Sequence, residues 1–431
     1  MMVYHHMVGK LIIISYKMKN TLFTNDNLFI LHGLNSESVD LIYLDPPFNS
    51  KRMYSAPIGS KAASTSFKDM WTWADVDEGY LDKIADKYPF LSKFIQSIEG
   101  IGGKAMMSYC VYMTQRIIEM HRILKITGSF YLHCDPTASH YLKLILDDIF
   151  NRDNFRNEIT WCYTGPSASK KNFPKKHDII FRYSKSDNYY FDADSVRIKY
   201  KALHTDKGQD SAKIWGESGK LQDEKTRQEY LDRGKIPEDW WIDISSGGHI
   251  SPKERTGYPT QKPLALLHRI IKASSKEGDV VLDPFCGCAT TCVAAQQLGR
   301  KWIGIDIEHK AIDLLIDRLS DDAGLFKDFA HRTDVPKRTD IEIEPIDKNV
   351  KQRLFEQQKS CCNACDVVLE IRHFEVDHII PKAKGGGDYY ENYQLLCGNC
   401  NRIKGDRPME YLRIKIKSRE KLIKNQITFG E

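Results

Sequence analysis

No stretch of this chain is apolar for anything near the ~20 residues that a membrane span needs. Its early aliphatic run, Leu11 to Ile14, is too short for the core of a signal peptide. Internal repeats and low-complexity segments are missing as well. An excess of one charge is nearly so: the formal net charge is only +5, which permits a nucleic-acid partner without requiring one. Cysteine, by contrast, is plentiful. There are 11, including two close pairs near the C-terminus. Without an export signal, they read as metal-bound thiolates in a reducing cytoplasm rather than as a disulfide framework. Hydrophobic content of 41% and charged content of 28% are ordinary for a globular protein, and 431 residues suffice for two or three domains with real cores.

Residues 1–17 read as an extension, and Met18 as a natural start, so a chain begun there is expected to fold and act unchanged. A mostly apolar run, Val39 to Leu44, predicts a buried strand stopped by two prolines. Residues 50–103, with Trp71, Trp73 and Gly102-Gly103, read as an irregular insertion with short helices. Helical spacing returns over Met106 to Leu124. Gly128-Ser129 then turns into a strand, Phe130 to His133. A helix over Ser139 to Phe150 and strands near Glu158 to Tyr163 and Asp178 to Tyr183 follow. Residues 195–257 are polar, charged and interrupted by Trp215, Trp240 and Trp241. Alternation resumes with a helix over Leu264 to Ala273, a strand at Val280 to Asp283, another helix and a strand at Trp302 to Ile305. Strands alternating with helices predict an α/β fold built on a doubly wound sheet. Residues 331–350 read as a linker, 351–410 as a compact Cys-rich module, and 411–431 as a basic tail.

Two places along the α/β region carry chemistry. Asp45-Pro46-Pro47-Phe48 ends the first buried strand, where open α/β sheets bind ligands. A carboxylate, rigid carbonyls and an aromatic ring can together hold a flat, amino-bearing ring. Further on, Asp283-Pro284-Phe285-Cys286-Gly287 runs from a strand into a small-residue turn, and Ala289, Thr290 and Thr291 open a helix. About 20 residues later a strand ends in Asp306, placed to accept from both hydroxyls of a ribose. These spacings alone do not separate a dinucleotide site from an S-adenosylmethionine site. The neighbouring Cys286, Cys288 and Cys292 read as small packing residues rather than metal ligands.

Taken in order, these motifs resemble the amino-group DNA methyltransferases, the adenine-N6 and cytosine-N4 class, in the permuted arrangement where the catalytic motif precedes the cofactor motif. The resemblance spans most of residues 18–320, within a methyltransferase domain expected over 18–330. Leu41 to Ser50 matches the catalytic motif, Tyr258-Pro259-Thr260-Gln261-Lys262-Pro263 the segment before the cofactor strand, and Asp283 to Thr291 the cofactor loop. It implies a Rossmann-like sheet that binds S-adenosylmethionine through Lys262, Pro263, Asp283, Phe285, Gly287, Thr290 and Asp306. Asp45, Pro46, Pro47 and Phe48 are then the catalytic group. Asp45 and the Pro46 carbonyl accept the hydrogens of an exocyclic base amine, and Phe48 stacks on a base taken out of the duplex. Asp at the first position favours adenine N6. The chain departs from the family at Ala289, where a second glycine is usual. Residues 195–257 occupy the place of the target-recognition region, so Arg197, Lys199, Lys201, Lys220 and Arg227 are candidates for phosphate contact.

Cys362 and Cys365, then Cys397 and Cys400, form two C-x-x-C pairs suited to one tetrahedral Zn²⁺. So small a module is expected to have little apolar core and to draw much of its folding free energy from the metal. Val376-Asp377-His378-Ile379-Ile380-Pro381, Asn392 and Asn401 around them resemble the HNH endonucleases. The resemblance implies His378 as general base, Asp377 and Asn401 as ligands of a Mg²⁺, and Asn392 as the residue that holds the His378 loop.

The whole reads as a cytoplasmic enzyme of double-stranded DNA, with no membrane partner and a homodimer allowed. A site-specific methyltransferase is joined to an HNH nuclease in a restriction-modification or phage setting. Two rivals remain: a solitary methyltransferase whose zinc module only grips DNA, and a nuclease that uses an inactive methyltransferase domain for recognition.

Overall fold

The computed structural model describes residues 20–49, 52–57, 59–63, 66–69, 81, 84–85, 87–165, 170–199, 225, 229, 232–246, 250–323, 329–340, 348–382, 386–388, 390–407, 409, 412 and 415–416. The expectations placed on Met18, Trp71, Trp73, Lys201, Trp215, Lys220, Arg227 and the end of the basic tail lie outside them.

In chain order the larger region runs β1 (Asn20–Thr24), α1 (Asn27–Gly33), β2 (Val39–Leu44), a hairpin of β3 (Arg52–Ser55) and β4 (Ser66–Asp69), and α2 (Pro89–Ile123). It continues through β5 (Leu124–Cys134), α3 (Ser139–Phe150), β6 (Phe155–Cys162), β7 (His177–Ser184), β8 (Trp240–Trp241), α4 (Leu264–Ser274) and β9 (Val280–Asp283). It closes with α5 (Thr290–Gln297), β10 (Lys301–Asp306), α6 (Lys310–Ala323) and β11 (Phe329–Arg332). Nine strands form one sheet in the order β11-β1-β10-β9-β2-β5-β7-β6-β8. From β11 to β5 all neighbours are parallel. β7 runs antiparallel to both β5 and β6.

The sheet is covered on both faces, and β2 shows why its sequence is so apolar. Alternate side chains of a strand point to opposite faces. Ile42 and Leu44 therefore join the layer with Ile30, Met113 and Leu142 from α1, α2 and α3. Leu41 and Tyr43 join the other layer, with Leu266, Val293 and Leu315 from α4, α5 and α6. No helix among the described residues is long and apolar enough to cross a membrane.

Several local expectations change. β5 begins at Leu124, so Gly128 lies within a strand rather than before one. A Cβ there would stand 2.5 Å from the Leu124 side chain and 2.9 Å from the Asp40 carbonyl, a closeness that only glycine allows. The insertion contains an antiparallel hairpin as well as helix, and α2 breaks at Gly103, whose φ is 80°. The first ten residues of the presumed linker are folded. β11 pairs with β1, Val335 is buried among the α1 core residues, and Ser36 donates to Asp340 over 2.9 Å. Short polar segments of this kind carry no periodic signal that would reveal such docking.

The C-terminal module comprises α7 (Lys348–Gln357), β12 (Phe374–His378), β13 (Tyr393–Cys397) and α8 (Gly398–Lys404), with β12 and β13 antiparallel. It has more core than its length suggested: Leu354, Phe374, Leu395, Leu396 and Leu412 are all buried together.

Candidate active sites

The chain leaves β9 through α5 to β10 on one side, and leaves β2 through α2 to β5 on the other. Such a switch point opens a crevice beyond the carboxyl ends of the two strands. There a cavity of about 420 Å³ is walled by Asp45, Pro46, Pro47 and Phe48 after β2, by Asp283, Phe285, Gly287 and Thr290 after β9, and by Lys262 and Asp306. That volume lies within the range of small-molecule sites. Pro263 stands instead at the N-cap of α4.

Asp45 has two unlike oxygens. Oδ2 accepts from the Lys262 ammonium, which also lies over the Phe48 ring, 5.5 Å from its centroid. Oδ1 is buried and has no hydrogen-bond partner among the described residues. A buried acceptor left bare is costly, and a ligand donor is the natural way to relieve it.

The cofactor loop is drawn together by two carboxylates. Asp283 accepts from the Phe285 N–H over 3.0 Å and from the Thr291 hydroxyl over 2.5 Å. Burial raises its pKa to about 7, against those hydrogen bonds and with help from Asp45 and Asp306. Asp306 accepts from Gly287 N–H over 2.7 Å and from Glu308 N–H over 2.9 Å. Burial raises it to about 6. Gly287 takes a positive φ of 49°, and a Cβ on it would stand 3.0 Å from the Tyr258 ring. Here a bare backbone is favoured by both conformation and space. Ala289, the departure from the family pattern, is the N-cap of α5 at φ 58°, ψ 32°. A left-handed residue at that point explains why glycine suits it. The Thr290 hydroxyl accepts from buried Arg318 over 2.8 Å.

Sequence reasoning missed a network beneath Phe48. Tyr43 OH meets His133 Nδ1 at 2.9 Å, His133 Nε2 meets Asp178 at 3.1 Å, and Tyr163 donates to Asp178 over 3.1 Å. The His133 ring stacks on Phe48 with centroids 6.0 Å apart. Burial alone would raise Asp178, but His133, the Lys262 charge and the Tyr163 hydrogen bond together outweigh it and the pKa is lowered. Also missed was Arg116, which donates to Asn27 over 2.6 Å, while Asn27 donates to the Pro284 carbonyl over 2.8 Å. Only Asp26, an N-cap type before an apolar run, gave a local signal.

In the presumed recognition region, Arg197 is already paired: it bonds Asp194 over 2.6 Å and the Gly234 carbonyl over 2.9 Å. Trp241 is buried and Trp240 is half exposed.

In the C-terminal module the sulfurs of Cys362, Cys365, Cys397 and Cys400 all lie within 4.8 Å of one another. Four thiolates around zinc at ~2.3 Å stand about 3.8 Å apart, so this cluster could bind zinc after a small contraction. The Cys400 N–H already points to Cys397 Sγ over 3.4 Å. Beside the cluster, Asp377 Oδ2 accepts from buried Lys404 over 2.9 Å and from Gln394 over 2.8 Å. Lys404 also donates to the His378 carbonyl over 2.8 Å. The Asn401 amide group donates to Glu375. Asn392 bridges the loop after His378, donating to the Ile380 and Gly387 carbonyls over 3.2 and 2.9 Å.

Sequence models of known families match both regions. The sequence model of a family described as DNA methylase matches residues 39–317, and that of HNH endonuclease matches residues 362–407. Over 376 residues the chain is 27% identical to Type II methyltransferase M.EcaI of Enterobacter cloacae, covering 75% of this chain and 74% of that protein. It is 27% identical over 309 residues to DNA adenine methyltransferase YhdJ of Escherichia coli (strain K12), covering 69% and 85%. Over 172 residues it is 35% identical to Type II methyltransferase M.ScaI of Streptomyces caespitosus, covering 38% and 50%.

Proposed function

The chain belongs to the DNA methylase family and carries an HNH endonuclease domain, and on that premise we propose a site-specific enzyme that methylates the N6 amine of adenine in double-stranded DNA. The observation that carries this reading is the bare, buried Oδ1 of Asp45 on the cavity wall. The lone pair of an exocyclic amine is conjugated into its ring, so the nitrogen is a poor nucleophile. Asp45 Oδ1 and the Pro46 carbonyl accept its two hydrogens and favour the pyramidal nitrogen of the transition state. Phe48, backed by His133, receives the face of the extruded base. Stacking worth roughly 1–3 kcal/mol then offsets part of the few kcal/mol spent on extrusion. S-adenosylmethionine fits the remaining wall at Gly287, Asp283 and Asp306, and when bound supplies an electrophilic methyl group.

For the second centre we propose hydrolysis of a phosphodiester, with His378 taking the proton of the attacking water. Asp377 and Asn401 each keep an oxygen for a Mg²⁺, which when bound supplies positive charge beside the leaving oxygen. Zinc at the four cysteines would hold the frame. Modification coupled to cleavage suits a restriction-modification system in the cytoplasm. The experiment is incubation of the purified chain with unmethylated plasmid, with and without S-adenosylmethionine and Mg²⁺. Sequencing that detects modified bases follows. Methylation without cutting would leave the zinc module as a DNA grip, and cutting without methylation would leave the larger region as a recognition scaffold. Methyl groups found on cytosine alone would overturn the adenine assignment.

A further inference from the structure

We infer that Asp388 is the positioning residue of the nuclease centre, holding His378 Nε2–H so that Nδ1 faces the reacting water as the basic nitrogen. This rests on the nuclease reading and assigns a residue that neither the motif nor its spacing singles out.

The geometry is direct. His378 Nε2 lies 2.8 Å from Asp388 Oδ1. Tyr393 OH donates to the same oxygen over 3.2 Å, and Lys382 Nζ donates to Oδ2 over 2.8 Å. The Lys382 ammonium first, and His378 second, keep the Asp388 acid low, at about 2. Asp388 is therefore an anion at neutral pH and can only accept. The nitrogen of a neutral imidazole that faces it must carry the proton, which leaves the lone pair on Nδ1. That nitrogen has no hydrogen-bond partner among the described residues. The ring is braced by the edge-on Tyr393 ring, with centroids 5.0 Å apart.

Asp388 is brought back to His378 by a clamped loop. Asn392 accepts from Ile380 N–H over 2.8 Å and donates to the Gly387 carbonyl over 2.9 Å. A Cβ at Gly386 would stand 1.8 Å from the Ile380 carbonyl oxygen, so only glycine lets the two strands of the loop meet. Asn392 thus acts on His378 through Asp388, by fixing where the carboxylate stands. In the reaction the water oxygen bonds to phosphorus as the bond to the leaving ester oxygen breaks, the water proton passes to Nδ1, and the leaving oxygen keeps the bonding pair and takes a proton from solvent. This is the base-and-orienter logic of hydrolytic triads, built on a different fold.

The test uses the full chain, loaded with zinc, as Asp388→Ala and Asp388→Asn. Nitrogen-15 spectra of histidine-labelled protein, with His378→Ala to assign the signal, read which ring nitrogen carries the proton. Plasmid cleavage with Mg²⁺ reads the rate. The wild type is expected to hold its proton on Nε2, and Asp388→Ala to populate both tautomers. Cleavage by that variant should fall about 10- to 100-fold, part of what a general base contributes. Zinc content and methyl transfer should stay unchanged and the thermal midpoint should fall by no more than a few degrees, because Asp388 is partly exposed and belongs to neither the metal cluster nor the cavity. A wild-type proton on Nδ1, or full-rate cutting by Asp388→Ala, overturns the assignment alone. A wild-type chain that cuts no DNA sinks the nuclease reading and this role with it.

Discussion

Lys262 places its ammonium on Asp45 Oδ2 although the two residues are 217 positions apart. The lysine read from the sequence as a cofactor contact is thereby the partner of the proposed catalytic carboxylate. It occupies one oxygen of Asp45 and leaves the other bare, the oxygen that the proposed mechanism gives to the target amine.

Asp45→Asn replaces one acceptor by a donor and should lower methyl transfer by about 10²–10³-fold, the scale of losing one aligned transition-state contact. Affinity for S-adenosylmethionine, measured by calorimetry, should change only a few-fold. Lys262→Met strips a largely buried carboxylate of its partner and should lower stability by up to about 3 kcal/mol. Asp45→Asn that still methylates at the wild-type rate would remove the assigned role.

Ala289 sits at a backbone conformation that costs an L-residue about 1 kcal/mol. Ala289→Gly should therefore stabilise the methyltransferase region despite glycine's larger loss of chain entropy, raising its thermal midpoint by a few degrees. A lower midpoint would show that the buried methyl is worth more to packing than the strain costs.

Burial raises the acids of Asp283 and Asp306 to about 7 and about 6, above the ~3.9 of an unfolded aspartate. A raised acid binds its proton more tightly in the folded chain. Its stabilising effect is full below pH ~4 and is lost as pH rises through the folded value. Asp283→Asn cannot titrate, so the wild type should lose stability relative to it between pH ~4 and pH ~7, at roughly 1 kcal/mol per pH unit. Urea unfolding across that window provides the check, and a flat difference would contradict the burial argument.

Removing metal with a strong thiophilic chelator should lower the melting point of the C-terminal module, whose four sulfurs lie within 4.8 Å of one another. The apolar core around Phe374 and Leu395 should keep it collapsed rather than wholly unfolded. Methyl transfer should persist. Cys400→Ser should mimic the chelator, and a zinc-free wild type of unchanged melting point would argue against a structural metal.

Much of this protein could be read from order along the chain. The mostly apolar run of β2, the helical stripe of α4 and the small-residue turn at Gly287 are each written within a few residues. The paired cysteines of the zinc-type cluster announce a shared ligand by spacing alone. Elements such as β8 and β11, of two and four residues, were invisible because short strands owe their existence to a neighbour, not to their own pattern.

What the sequence alone determined was therefore the longer local elements, the sheet class and the motifs at its carboxyl edge, since periodicity and proline or glycine punctuation act over a handful of residues. The tertiary structure decided which groups meet. Lys262 reaches Asp45, His133 lies under Phe48, Arg197 reaches the Gly234 carbonyl, and Asp388 returns to His378. Each of these contacts depends on strand order or loop closure, and the side chains involved carry no mark of their distant partner until burial and charge bring them together.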